Sequence, residues 1–156
     1  MPERRETPAH ARTERMAIMN QGQSPAGPAP SGLYVERAVL ATPSSNGVLR
    51  DLAYAHLEKW GLGSLADDAV LVVSELVTNA IEAAPGTLIG FRMMLWPTML
   101  VIEVRDTSTG RVVCQEAGAL AESGRGMWIV EHIARHWGQR LEGDGAKTVY
   151  ALLDLP

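Results

Sequence analysis

The chain has 156 residues, 46% of them hydrophobic, which suits one domain with a substantial core. Its formal net charge of −4 leaves no broad basic footprint, which argues against direct nucleic-acid or anionic-membrane binding. The single cysteine, Cys114, excludes an intrachain disulfide, and no apolar run is long enough to span a bilayer, so a cytoplasmic location is expected.

Residues 1–31 are built from Pro, Gly, Gln, Ser, Ala and charges, ending in QGQSPAGPAPSG. Such a composition cannot bury enough surface to offset its ordering entropy, so it predicts a disordered tail before a folded domain over residues 32–156. The N-terminus lacks the apolar core and cleavage site of a signal peptide, and Met16 and Met19 offer alternative starts. From Leu33, LYVERAVLA reads as an imperfect strand stopped by Thr42-Pro43. Ser44 or Ser45 is placed to cap a helix through VLRDLAYAHLEKW, closed by Gly61. Ser64 or Asp67 opens a second helix, containing LVVSELVTNAIEAA, that ends at Pro85-Gly86.

TLIGFRMMLW and MLVIEVRD, joined by Pro97-Thr98, read as a hairpin, and a loop runs from Thr107 to Ser123. GMWIVEHIARHW predicts a third helix that stops at Gly138. QRLEG and KTVYALLDL, separated by Asp144-Gly145, predict a closing hairpin. The order β-α-α-β-β-α-β-β calls for antiparallel neighbours. The predicted class is therefore α+β, a two-layer sandwich with helices on one face of a mixed, largely antiparallel sheet.

Glu75 and Asn79 are four residues apart in the second helix, so they share a face. Val73, Leu76, Val77, Ala80 and Ala84 form the apolar stripe of the same helix. A carboxylate there can take a proton from a nucleophile, and an amide oxygen is a hard ligand suited to Mg²⁺. The plainer reading is a solvated polar face, since charged residues are mostly exposed.

Asp106 ends an apolar strand in RDTSTG, where a desolvated carboxylate needs a donor such as an exocyclic purine amine. An Asx-turn that merely ends the strand is the alternative. Gly124-Arg125-Gly126 precedes the third helix, whose N-terminal N–H groups and dipole suit phosphate, with Arg125 as a charge partner. Thr148 opens the last strand with a hydroxyl able to meet a base, although Thr is also simply a good strand residue. His132 and His136 fall four apart on the predicted third helix but lack a third metal ligand, so they read as helix-surface residues. Trp128 and Trp137 read as core and helix-end packing, and Cys114 as a small loop residue.

ELVTNAIEA, a strand ending VRDTSTG, ESGRGMWIVEHIARHWG and GAKTVYALL occur in that order. In this respect the chain resembles the GHKL (Bergerat-fold) ATPases, above all the anti-sigma-factor serine/threonine kinases and related stand-alone ATP-binding regulators of actinomycete bacteria. The likeness runs from Leu33 to the C-terminus. It implies ATP and Mg²⁺ as cofactors, with Glu75 as general base and Asn79 as the Mg²⁺ ligand. It implies that Asp106 accepts from the adenine amine and that Gly110 flanks the nucleotide. Gly124, Arg125 and Gly126 would line the phosphates, and Thr148 would contact the adenine side. A sigma factor or an anti-sigma-factor antagonist would be the protein partner, and related kinases suggest a homodimer.

Two positions depart from the family pattern. Ala83 stands where members often carry His, and Glu82 stands where histidine-kinase relatives place a basic residue. A carboxylate close to triphosphate repels it, so Glu82 either points away or weakens ATP binding. The short stretch between Asp106 and Gly124 implies a small lid. The alternative function is a catalytically inactive nucleotide-binding module that regulates transcription through protein contacts.

Overall fold

The computed structural model describes residues 31–110, Val112 and residues 125–156. The predicted tail therefore lies outside the described residues except for Ser31, whose hydroxyl donates to the Leu95 carbonyl. Most of the loop before the third helix, with Cys114 and Gly124, also lies outside them.

The elements are β1 (Tyr34–Leu40), α1 (Pro43–Lys59), a 3₁₀ turn (Gly63–Leu65), α2 (Ala66–Ala83), β2 (Leu88–Leu95), β3 (Met99–Asp106), α3 (Arg125–Ile133), β4 (His136–Leu141) and β5 (Lys147–Asp154). The five strands form one sheet in the order β1-β2-β3-β5-β4, and every pairing is antiparallel. This is the expected α+β sandwich, with the helices over one face.

Alternation decides which side chains meet the helices. Ile102 and Val104 of β3 and Val149 and Ala151 of β5 point into the main core with Val72, Val73, Leu76 and Val77 of α2. The opposite face carries Glu103, Arg105, Thr148 and a smaller cluster of Met94, Val101, Tyr150 and Leu152.

Thr42, not Ser44 or Ser45, stands at the N-cap of α1, with Pro43 just inside the helix. The Ser45 hydroxyl instead turns back to the Leu40 carbonyl at 2.5 Å, joining the helix start to the end of β1. Helix α2 begins at Ala66 after the 3₁₀ turn, with Asp67 and Asp68 in its first turn, where they complement the helix dipole. Gly61 and Gly86 follow α1 and α2 with φ of 75° and 76°, values that favour glycine.

The predicted third helix is too long. Its apolar spacing continues through Ala134 and Trp137, but α3 ends at Ile133. The Arg135 N–H already donates to the Leu152 carbonyl at 2.8 Å, and His136, Trp137 and Gly138 pair with β5. Sheet pairing overrides local helical periodicity here. His132 and His136 thus lie on different elements, and no His/Cys/Asp/Glu group able to hold a metal occurs among the described residues. Trp128 is exposed and stacks on His132 with ring centroids 3.9 Å apart, so it is not a core residue, whereas Trp137 is half-buried against the core from β4.

Tyr150 lies across Gly138 of the neighbouring strand. A Cβ at Gly138 would meet the Tyr150 hydroxyl at 2.5 Å and Cζ at 2.7 Å. Gly138→Ala should therefore force the buried ring aside and cost about 1–3 kcal/mol of stability in urea unfolding. An unchanged midpoint would show that the ring does not depend on the glycine.

Candidate functional site

Helix α2 builds the first wall. Its buried stripe of Ala69, Val72, Val73, Leu76, Val77 and Ala80 fixes its rotation against the sheet and leaves Glu75 and Asn79 half-buried on one side. A polar clamp on α1 holds it as well. Asn46 Nδ2 donates to Thr78 Oγ1 at 2.8 Å and to Ser74 Oγ at 3.3 Å, on the helical turns that carry Glu75 and Asn79. Nothing in the sequence marked Asn46, because its partners lie 28 and 32 residues away.

Gly126 brings the start of α3 against this wall. A Cβ at Gly126 would run into the Glu75 carboxylate. The glycine thus lets the N-terminus of α3 approach the acid, with Arg125 beside it, exposed. Burial pushes the Glu75 carboxyl above its ordinary value of 4.5, and the nearby charge of Glu82 pushes it the same way. Glu82 is therefore close enough to act on Glu75, although its own side chain is exposed.

Asp106 stands at the end of β3 on the helix-covered face, 2% exposed. Its Oδ1 accepts from the Ser108 N–H at 2.7 Å, so the Asx-turn is present. Its Oδ2 lies 3.6 Å from Lys147 Nζ. The Thr107 hydroxyl donates to Thr87 Oγ1 at 3.3 Å, and the Thr87 hydroxyl donates to the Ala84 carbonyl at 2.7 Å. This chain of bonds fixes the end of β3 beside the end of α2. Gly110 follows, its carbonyl accepting from Lys147 Nζ at 2.9 Å.

Among the described residues, five buried side-chain atoms have no hydrogen-bond partner. Two of them, Asn79 Nδ2 and Ser108 Oγ, belong to residues of the predicted site or adjacent to Asp106; the others are Asn46 Oδ1, Arg92 Nε and Trp96 Nε1. Buried polar groups are normally satisfied, so an amide and a hydroxyl left open suit a polar ligand. The structure thus sets Gly126, with Arg125, against Glu75 on the helix face shared with Asn79, and joins Asp106 to Gly110 through Lys147 at the end of β3. Gly124 lies outside the described residues.

Thr148 is not brought to this site. Asp106 pairs with Lys147, and Arg105 with Thr148, so Thr148 leaves the sheet on the opposite face. There its hydroxyl donates to Glu142 Oε1 at 2.6 Å. A shallow groove of about 950 Å³ also opens on that face, lined by Gly90, Arg92, Glu103, Arg105, Arg140 and Thr148 among others. Asp106, Thr107 and Thr109 line it as well, at the end of β3, whereas Glu75 and Asn79 do not.

With this arrangement in view, the comparisons with known proteins decide the family. The family model described as histidine kinase-like ATPase domain matches residues 39–151. The chain belongs to this family. No curated protein matches the chain. Among solved structures, the ATPase domain is similar to the crystal structure of the RsbU and RsbW domains of Rv1364c from Mycobacterium tuberculosis. The TM-score is 0.58 at 19% identity, over 80% of this chain and 33% of that one. That likeness is one of fold, and the ATPase domain spans about a third of the length of that structure. No helix among the described residues is long and apolar enough to cross a membrane.

Glu75 makes stability depend on pH. Below its ordinary pKa the carboxyl is protonated in both the folded and unfolded states and costs nothing. As pH rises through the window above 4.5, the unfolded chain ionises first, so stability falls until the raised folded pKa is passed and stays at that lower level above it. Glu75→Gln should therefore unfold at higher urea than the wild type at pH 7, with the difference closing as pH falls to 4.5. Equal midpoints at pH 7 would contradict a raised pKa. Thr148→Val should leave nucleotide affinity unchanged while costing about 1 kcal/mol of stability through the lost Glu142 bond. A selective loss of nucleotide binding would return Thr148 to the site.

Proposed function

We propose that this ATPase domain binds ATP with Mg²⁺ and acts as an anti-sigma-factor-type serine/threonine protein kinase in a cytoplasmic regulatory circuit. The observation that carries this reading is the Glu75 carboxylate lying against Gly126 at the start of α3, one helical turn from Asn79, whose buried Nδ2 lacks a partner.

The donor set fits the cofactor. Asn79 would ligate Mg²⁺ through its amide oxygen, a hard donor suited to that ion. Arg125 and Gly126, with Gly124, would line the phosphates at the start of α3, where free N–H groups and the helix dipole favour anions. Asp106 would accept from the adenine amine, beside Gly110. Bound Mg·ATP supplies the phosphoryl group and offsets the charge that develops during transfer.

Glu75 accepts the proton of the incoming serine or threonine hydroxyl. Its raised pKa makes it a stronger base than a solvated carboxylate. The hydroxyl would belong to an anti-sigma-factor antagonist, and a sigma factor would be the binding partner. The fold likeness to a structure containing an RsbW domain supports this class of regulator. A homodimer is part of the same reading.

The Glu82 carboxylate favours a second reading, a nucleotide-binding interaction module without transfer, because its charge already acts on Glu75. Phosphoryl transfer to a partner separates the two. Under the kinase reading, Glu75→Ala lowers transfer by at least about a hundredfold in a radiolabel assay. ATP affinity by calorimetry stays within about threefold, since the base makes its contact mainly in the transition state. Asn79→Ala should remove the Mg²⁺ dependence of ATP binding. Equal transfer by wild type and Glu75→Ala would sink the role of the base, and Mg²⁺-independent binding by the wild type would sink that of Asn79.

A further inference from the structure

Lys147 is the buried charge on the helix-covered face that neither the sequence motifs nor the mechanism above uses. Its side chain is 3% exposed, directly across the β3–β5 ladder from Asp106. An ammonium group in that position is costly unless it is paired. Its surroundings meet the need only in part. Nζ donates to the Gly110 carbonyl at 2.9 Å and stands 3.6 Å from Asp106 Oδ2. The latter distance is longer than a normal N–H···O bond, and an ammonium has three protons to give. The helix-covered face of the β3–β5 ladder thus carries an acceptor, Asp106 Oδ2, next to a donor, Lys147 Nζ.

We propose that Lys147, and not Thr148, is the second base-reading residue of the site, donating to the ring nitrogen N1 of adenine while Asp106 accepts from the adjacent amine. The proposal rests on the reading of this end of the fold as an ATP site. The Watson–Crick edge of adenine presents an amine beside an unprotonated ring nitrogen, a donor next to an acceptor. That is the complement of the Asp106–Lys147 pair. Guanine places a carbonyl where adenine has its amine, which would set an oxygen against the Asp106 carboxylate. The strand register excludes Thr148 from the same task, because its hydroxyl leaves on the other face and is bonded to Glu142. Lys147 also ties the pair to the carbonyl of Gly110, so the residue that reads the base holds the start of the loop beyond β3.

Calorimetry of the full chain with ATP and with 1-deaza-ATP, which keeps the amine but replaces N1 by C–H, tests the assignment. Wild type should bind 1-deaza-ATP about tenfold more weakly than ATP, the size expected for one charge-assisted hydrogen bond. Lys147→Met should lose about the same factor with ATP and nothing further with 1-deaza-ATP. Lys147→Gln serves the same comparison if the Met variant fails to fold. Equal wild-type affinity for the two ligands overturns the proposal without recourse to any variant. So does a Lys147 variant that still tells them apart as the wild type does. Absence of wild-type ATP binding removes the nucleotide-site reading itself, an outcome separate from either of these.

Discussion

Helix α2 can present Glu75 and Asn79 in only one direction, and the rest of the site depends on that constraint. Its apolar stripe is buried against β3, and fully burying each Val or Leu contributes roughly 1.5–3 kcal/mol. Turning the helix by one residue would expose several of these at once. The Asn46 clamp to Ser74 and Thr78 opposes the same rotation from the α1 side. The polar pair is therefore held by side chains that perform no chemistry. Its geometry is as rigid as the core beneath it, as a preorganised site requires. Gly126 completes the arrangement by leaving room for the Glu75 carboxylate in its present position where a second helix begins, which a larger residue would push aside.

Three carboxylates near this end of the fold are treated in three ways. Asp106 is almost fully buried but is matched by a backbone N–H and the Lys147 ammonium. Glu82 stays in solvent. Glu75 is partly buried, and that burial, with the nearby Glu82 charge, raises its pKa. Matched acids suit recognition, because a fixed charge state gives a fixed hydrogen-bonding pattern. An acid with a raised pKa suits proton transfer, because its charge state is more easily changed. A divalent ion held by Asn79 would lower the cost of ionising Glu75 and so couple cofactor binding to the readiness of the base.

The sequence made α2, the first hairpin and the fold class legible because each is a local pattern: helical spacing, turn residues, and consecutive strands that call for antiparallel neighbours. Glu75 and Asn79 were readable for the same reason. Where the outcome depended on partners distant in sequence, local pattern was silent or misleading. The spacing of Met127, Val130, Ala134 and Trp137 fits a helix, yet β5 captures the chain from Arg135 onward. Asn46 carries no motif at all. Choosing between Lys147 and Thr148 required the register of β5 against β3, and a shift of one residue reverses the face.

That reversal also explains the division between the two sides of the sheet. Inward-facing Asp106 and Lys147 keep unmet hydrogen-bonding capacity beneath the helices. On the outward side, Glu103 is held by Arg92 at 3.6 Å and Arg140 at 3.3 Å, Arg140 also pairs with Glu142, and Arg105 pairs with Asp144. Thr148 joins this network through Glu142, whose carboxyl is held below its usual range by the Thr148 hydroxyl and by Arg140. Each of these three guanidinium groups thus already faces a carboxylate, which offsets its charge toward an incoming anion. On the inner side, the Asn79 amide and the Ser108 hydroxyl are without partners. Arg92 Nε in the groove is also buried without a partner, so what sets the inner site apart is the Glu75 carboxylate lying against the start of α3 beside Asn79 on the same helix face.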